Sequence, residues 1–217
     1  WGLNFNLQGD SLLGAVYSYD TDGSPLWLVL SVGTRSGNSY TGPLYRSTGP
    51  VFSASPWVWN PATNLQQVGT MTVNFTSANS GTLSYSVNGV TVSKSISKFA
   101  FGSPVTTCTQ TAGSRSGLTN YQDVWESAPA GSEPGWGLAV ANEGGVVSAG
   151  LYTYGSDGKT LWLLMGRGER QSDGSFVGDL LSLRGPAFNT TPWPANGVTP
   201  TTVGTMRSGR LCRLAGR

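Results

Sequence analysis

The sequence predicts an all-β protein made of tandem antiparallel, up-and-down, β-barrel-like domains. Three observations carry this. Gly and Pro together supply 43 of 217 residues, while charged residues are only 11%. Lys and Glu, the usual filler of exposed helix faces, are scarce. Short runs of period two or of continuous apolar character alternate with turn signals. Finally, "YDTDGSPLWLVL" (Tyr19–Leu30) returns as "YGSDGKTLWLLM" (Tyr154–Met165) with Tyr, Asp-Gly and Trp in register.

The repeat extends well beyond these twelve residues. Trp1 aligns with Trp136, an offset of 135. Tyr17 and Tyr19 then meet Tyr152 and Tyr154, and Trp27 meets Trp162. One inserted residue later, Gly49-Pro50, Phe52 and Pro56-Trp57 meet Gly185-Pro186, Phe188 and Pro192-Trp193. Val68-Gly69-Thr70-Met71 meets Val203-Gly204-Thr205-Met206 at the original offset. Self-similarity on this scale marks a duplicated structural unit of small-domain size.

Within one copy the elements follow in order. "GLNFNLQ" alternates and "GD" turns. "SLLGAVYSYD" places Ala15, Tyr17 and Tyr19 on one face. "DTDG" is hairpin-turn chemistry, and "PLWLVLSV" is a nearly continuous apolar strand. "SYTGPLYRSTG" is the next strand, followed by a Pro-rich, Trp-bearing loop, "SASPWVWNPATN". "TMTVNFTS", "GTLSYSV" and "VTVSKSISKFAF" complete the copy, with Asn88-Gly89 as a strong hairpin turn between the last two. This gives about seven strands and no convincing helix. An eighth comes from "NYQDVW" (Asn120–Trp125) before the second "GWGL". Closing such a meander removes exposed edges. The organisation expected is a first barrel repeat at 1–101, a linker at 102–119, and a second, incomplete repeat at 120–206. An atypical Arg-rich tail at 207–217 ends the chain.

At "GWGL", "NLQGD", "YDTDGSPLWLVL", "YTGPLYRSTGP" and "VGTMTVNF" the chain resembles a Trp- and Gly-rich repeat common in secreted proteins of proteobacteria. The resemblance implies small β-barrels in tandem, a secreted, periplasmic or cell-surface location, and no assigned catalytic residues. Copy two departs from the pattern, with "ANEGG" in place of "NLQGD" and "VWES" in place of a double Trp. In outline the predicted barrels are similar to those of avidins and lipocalins, an analogy that does not assign function.

Several chemistries are excluded or weakened. The chain has no His, which removes Ser-His-Asp and Cys-His activation and His-based metal sites. Eleven carboxylates remain as candidate acids and bases. Asp20 and Asp22 are the nearest pair for a carboxylate-based hydrolase, but copy two keeps only Asp157. "DTDG" gathers oxygen ligands without the further acids and distal Glu of an EF-hand, so no metal and no cofactor are expected. A net charge of +2 with no basic stripe argues against nucleic acid. No apolar run approaches the ~18 residues of a membrane-spanning helix. Cys108 and Cys212 allow one internal bridge at most.

The aromatics are the remaining signal. Trp27 and Trp162 lie in apolar runs and read as core anchors. Trp57, Trp59 and Trp193 lie in Pro-rich loops, where an indole serves either to plug the loop or to stack on a ligand. Tyr17 and Tyr152, with Tyr19 and Tyr154, either line a barrel interior with hydroxyls or pack as cross-strand neighbours. The candidate ligand-binding residues are therefore Trp57, Trp59, Trp193, Tyr17 and Tyr152. The expected activity is non-enzymatic recognition of a carbohydrate, a small apolar ligand or a protein. A structural or adhesion role through open strand edges is the alternative.

Overall fold

The computed structural model describes residues 1–101, 122–143 and 146–208. The whole of the expected linker, both cysteines and the end of the tail lie outside the described residues.

The fold is all-β and barrel-like, in two antiparallel sheets with sequential strand order. The first sheet contains β1 (Gly2–Gln8), β2 (Ser11–Tyr19), β3 (Pro25–Ser36), β4 (Ser39–Ser47), β5 (Leu65–Phe75), β6 (Ser80–Val87) and β7 (Val90–Ser97). The second contains β8 (Asp123–Trp125), β9 (Gly137–Glu143), β10 (Val146–Tyr154), β11 (Thr160–Arg170), β12 (Phe176–Arg184) and β13 (Thr199–Ser208). "NYQDVW" contributes β8, which pairs with β9 and so belongs to the second sheet. β13 runs two residues into the expected tail, and Arg207 there pairs with Asp173 at 2.6 Å.

One short helix departs from the all-strand reading. In α1 (Pro61–Asn64) the Asn60 side chain accepts from the Ala62 N–H and Pro61 stands in the first turn. Asn-Pro is good helix-start chemistry. Four residues are too few for any periodicity to show.

The turns follow local chemistry. Asn88 and Gly89 both take positive φ, 49° and 84°, as a two-residue hairpin turn of the I′ type requires.

The first sheet curls on itself. Its inward residues, among them Val16, Leu28, Leu44, Met71 and Leu83, form one apolar core. Phe5 of β1 meets Phe75 of β5 edge-on at 5.6 Å. The Lys94 ammonium of β7 sits 4.9 Å from the Trp1 ring centroid, so the two ends of the sheet approach without pairing. The second sheet has a smaller core of Val140, Val147, Ala149, Met165 and Phe176.

Candidate functional site at the seam between the repeats

A third cluster lies between the sheets, and it consists of the repeated aromatics. Strands β2 and β3 turn Tyr17, Tyr19 and Trp27 away from their own core towards Tyr154 and Trp162 of the other copy. The contacts obey a local two-fold relation. The Trp27 indole N–H donates to the Thr153 carbonyl at 2.9 Å, and that of Trp162 donates to the Ser18 carbonyl at 2.9 Å. Trp27 lies 5.7 Å from Tyr154, and Trp162 lies 5.7 Å from Tyr19, both at 43°. The Gly49 N–H donates to the Gly158 carbonyl, and that of Gly185 to the Gly23 carbonyl. Phe52 N–H to the Tyr154 carbonyl mirrors Phe188 N–H to the Tyr19 carbonyl.

Two of the loop tryptophans belong to this exchange. Trp57 packs 6.1 Å from Tyr154 and donates its indole N–H to the Pro134 carbonyl at 3.2 Å. Trp193 stacks 6.3 Å from Tyr19, with the Lys94 ammonium 5.3 Å from its centroid. Each loop thus buckles onto the other repeat. Trp27 and Trp162 are buried, as core anchors are, but in the layer between the sheets.

The symmetry fails on one side of the seam. A cleft of about 240 Å³ opens there, walled by Trp27, Trp59, Trp136, Tyr152, Val124 and Asn4. Ser47 and Leu65 also line it. Trp59 aligns with Ala195, Asn4 with Ala139 and Ser47 with Leu183, so these three cleft residues have no like counterpart, whereas Trp27, Trp136 and Tyr152 align with Trp162, Trp1 and Tyr17. At the strand ends the Asn6 side-chain amide donates to the Asp123 carboxylate and ties β1 to β8.

The five predicted ligand residues therefore separate. Trp59 and Tyr152 share the cleft, while Trp57, Trp193 and Tyr17 lie elsewhere in the seam. Sequence reading missed Trp27, Trp136, Asn4 and Val124 as cleft residues. The available signal was the missing counterpart of Trp59 and Asn4 in copy two.

The polar edges of the cleft rings are largely engaged. Trp59 donates to the Thr48 carbonyl at 3.0 Å, and Ser47 Oγ lies 2.6 Å from the Tyr154 hydroxyl. Burial pushes the Tyr152 phenol up from its ordinary value. The Tyr17 hydroxyl is buried with no hydrogen-bond partner, and its pKa is raised by burial first and by Tyr152 second.

The carboxylates lie outside this cleft. Asp20 pairs with Arg46 at 2.5 Å, and Asp22 with Lys159 at 3.4 Å. Hydrogen bonds from the Ser24 hydroxyl and N–H hold Asp22 down at about 2, and those from Ser175 do the same for Asp173. A depressed carboxylate stabilises the fold above its unfolded value of 3.8 and loses that contribution as pH falls through about 2. Both groups are exposed, so the effect on stability is small. A carboxyl-carbon NMR titration is expected to give midpoints near 2 for both. Ser24→Ala is expected to return Asp22 towards 3.8. Among the described residues, no three His, Cys, Asp or Glu side chains gather where they could hold a metal.

Comparison with known proteins found no matching family, no matching curated protein and no matching solved structure.

Proposed function

We propose that this chain is a non-enzymatic, extracytoplasmic binding module, with the seam cleft as its recognition site. The observation that carries the reading is the broken symmetry. Seam aromatics that are copied in both repeats serve docking, whereas Trp59, Asn4 and Ser47 have no equivalent and converge on one opening. A lining of ring faces with a few polar groups is the usual make-up of a small-molecule site. At about 240 Å³ the cleft suits a single ring, such as one sugar or a small aromatic. A ring would stack on the half-buried Trp59 and Trp136, over a floor formed by the buried Trp27, and the Asn4 amide would take one polar substituent.

Intrinsic tryptophan fluorescence tests this directly. The protein is titrated with a panel of monosaccharides and with one-ring apolar probes such as indole and phenol. A saturable change with one class is expected, and it is lost in Trp59→Ala. That variant should lose only about 1–2 kcal/mol of stability, because Trp59 is half-buried and its indole N–H donates to the Thr48 carbonyl at the surface. No saturable change with any probe would contradict the proposal.

A further inference from the structure

Taking the cleft as the recognition site proposed above, we infer that its ligand is a small organic cation, a methylated ammonium head group held by ring faces. The other side of the seam supplies the template. There the Lys94 ammonium stands 4.9 Å from the Trp1 ring centroid and 5.3 Å from that of Trp193. One of these indoles belongs to each repeat, and the cation bridges them. The local two-fold relation carries Trp1 onto Trp136 and Trp193 onto Trp57. The two sides match closely, since Trp193 lies 6.3 Å from Tyr19 and Trp57 lies 6.1 Å from Tyr154. Trp136 stands in the cleft wall, and the Trp57 loop brings in Trp59. The place where two indoles hold an ammonium thus has its mate at the cleft.

On the cleft side the wall brings rings and no cation. The residues lining the cleft bear no charge, and β7, which supplies Lys94, has no counterpart among the described strands of the second sheet. Trp27, Trp59, Trp136 and Tyr152 converge instead. The faces of indole and phenol rings carry negative π charge, and boxes of such rings hold quaternary ammonium groups.

Hydrogen bonding separates this ligand from a sugar. The Trp27 indole N–H is committed to the Thr153 carbonyl, and that of Trp59 to the Thr48 carbonyl. Ser47 Oγ lies 3.0 Å from the Asn64 carbonyl and 2.6 Å from the Tyr154 hydroxyl. A sugar hydroxyl taken from water and left without a partner carries a desolvation cost, and with these edges engaged few groups remain to pair several hydroxyls. A methylated ammonium has no N–H to satisfy. Its charge rests on the ring faces, and its methyl groups meet the apolar side of the lining at Leu13, Val29 and Leu65.

Tryptophan fluorescence of the full chain is titrated with choline and with its neutral carbon isostere, in which a tert-butyl group replaces trimethylammonium. Choline is expected to give a saturable change, and the isostere to bind at least about tenfold more weakly. Trp59→Ala is expected to weaken choline binding by at least about tenfold as well. Vesicles of phosphatidylcholine, set against vesicles of phosphatidylglycerol, tell the two sources of the head group apart. Co-sedimentation with the first alone assigns it to a lipid, and choline binding without co-sedimentation assigns it to a free cation. Equal binding of choline and the isostere overturns the inference. So does a saturable response to phenol or a monosaccharide with none to choline, and in both cases the cleft remains the recognition site. Silence towards every probe removes the cleft reading and the cation with it.

Discussion

Trp27→Ala and Trp162→Ala are each expected to lower stability by about 3–5 kcal/mol, the range for deleting a buried Trp. The effect should be similar at both sites, although one lies in the larger sheet and the other in the smaller. Each indole fills the same niche in the other repeat, donates one 2.9 Å hydrogen bond to a backbone carbonyl, and touches two tyrosines. Removal leaves a cavity and a buried carbonyl without its donor. Urea denaturation followed by far-UV circular dichroism measures the loss. The double variant should lose less than the two single losses combined. Tyr17 and Tyr152, the neighbours of the two indoles, lie 6.2 Å apart in one network, and such sites are not additive. Strict additivity would mean that the two indoles stabilise separate bodies.

Gly185→Ala and Gly49→Ala are expected to be strongly damaging single-methyl additions, at about 1–3 kcal/mol each. A Cβ at Gly185 would stand 2.4 Å from the Tyr19 ring, and one at Gly49 would stand 2.2 Å from the Tyr154 ring. Both tyrosines are fully buried and pinned between tryptophans, so neither ring can yield freely. Neither glycine has a positive φ; the requirement is for space where the loop of one copy crosses the tyrosine of the other. Gly2→Ala serves as the control, because nothing lies within 4 Å of the added carbon. If the loop substitutions prove as mild as Gly2→Ala, the loops do not hold the seam as described.

The strands were legible because period-two alternation and Gly-, Asn- and Asp-rich turns are local signals. "SLLGAVYSYD" predicts the split that β2 displays, with Val16 in the sheet's own core and Tyr17 and Tyr19 on the opposite face. What the opposite face meets is not local information. "PLWLVL" and "TLWLLM" held the clue, since a continuous apolar run in an antiparallel sheet means that both faces are covered. The run does not say by what. Read alone, each twelve-residue segment is a hairpin; in the fold, each is the socket for the other, which is why Tyr, Asp-Gly and Trp stay in register. The cleft was less legible still. Its walls come from seven strands and two loops, and only Trp59 and Tyr152 stood out by residue type. Asn4 and Val124 become cleft residues through the packing of β1 and β8 across the seam.

Reciprocal indole hydrogen bonds lock the two sheets together across the seam. Hydrogen exchange of the eight tryptophan indole N–H groups, resolved by NMR, tests it most directly. Trp27 and Trp162 are expected to exchange slowest and with matched protection, and Trp162→Ala is expected to lower the protection of Trp27. Fast exchange at either indole, or protection of Trp27 unaffected by Trp162→Ala, would contradict it.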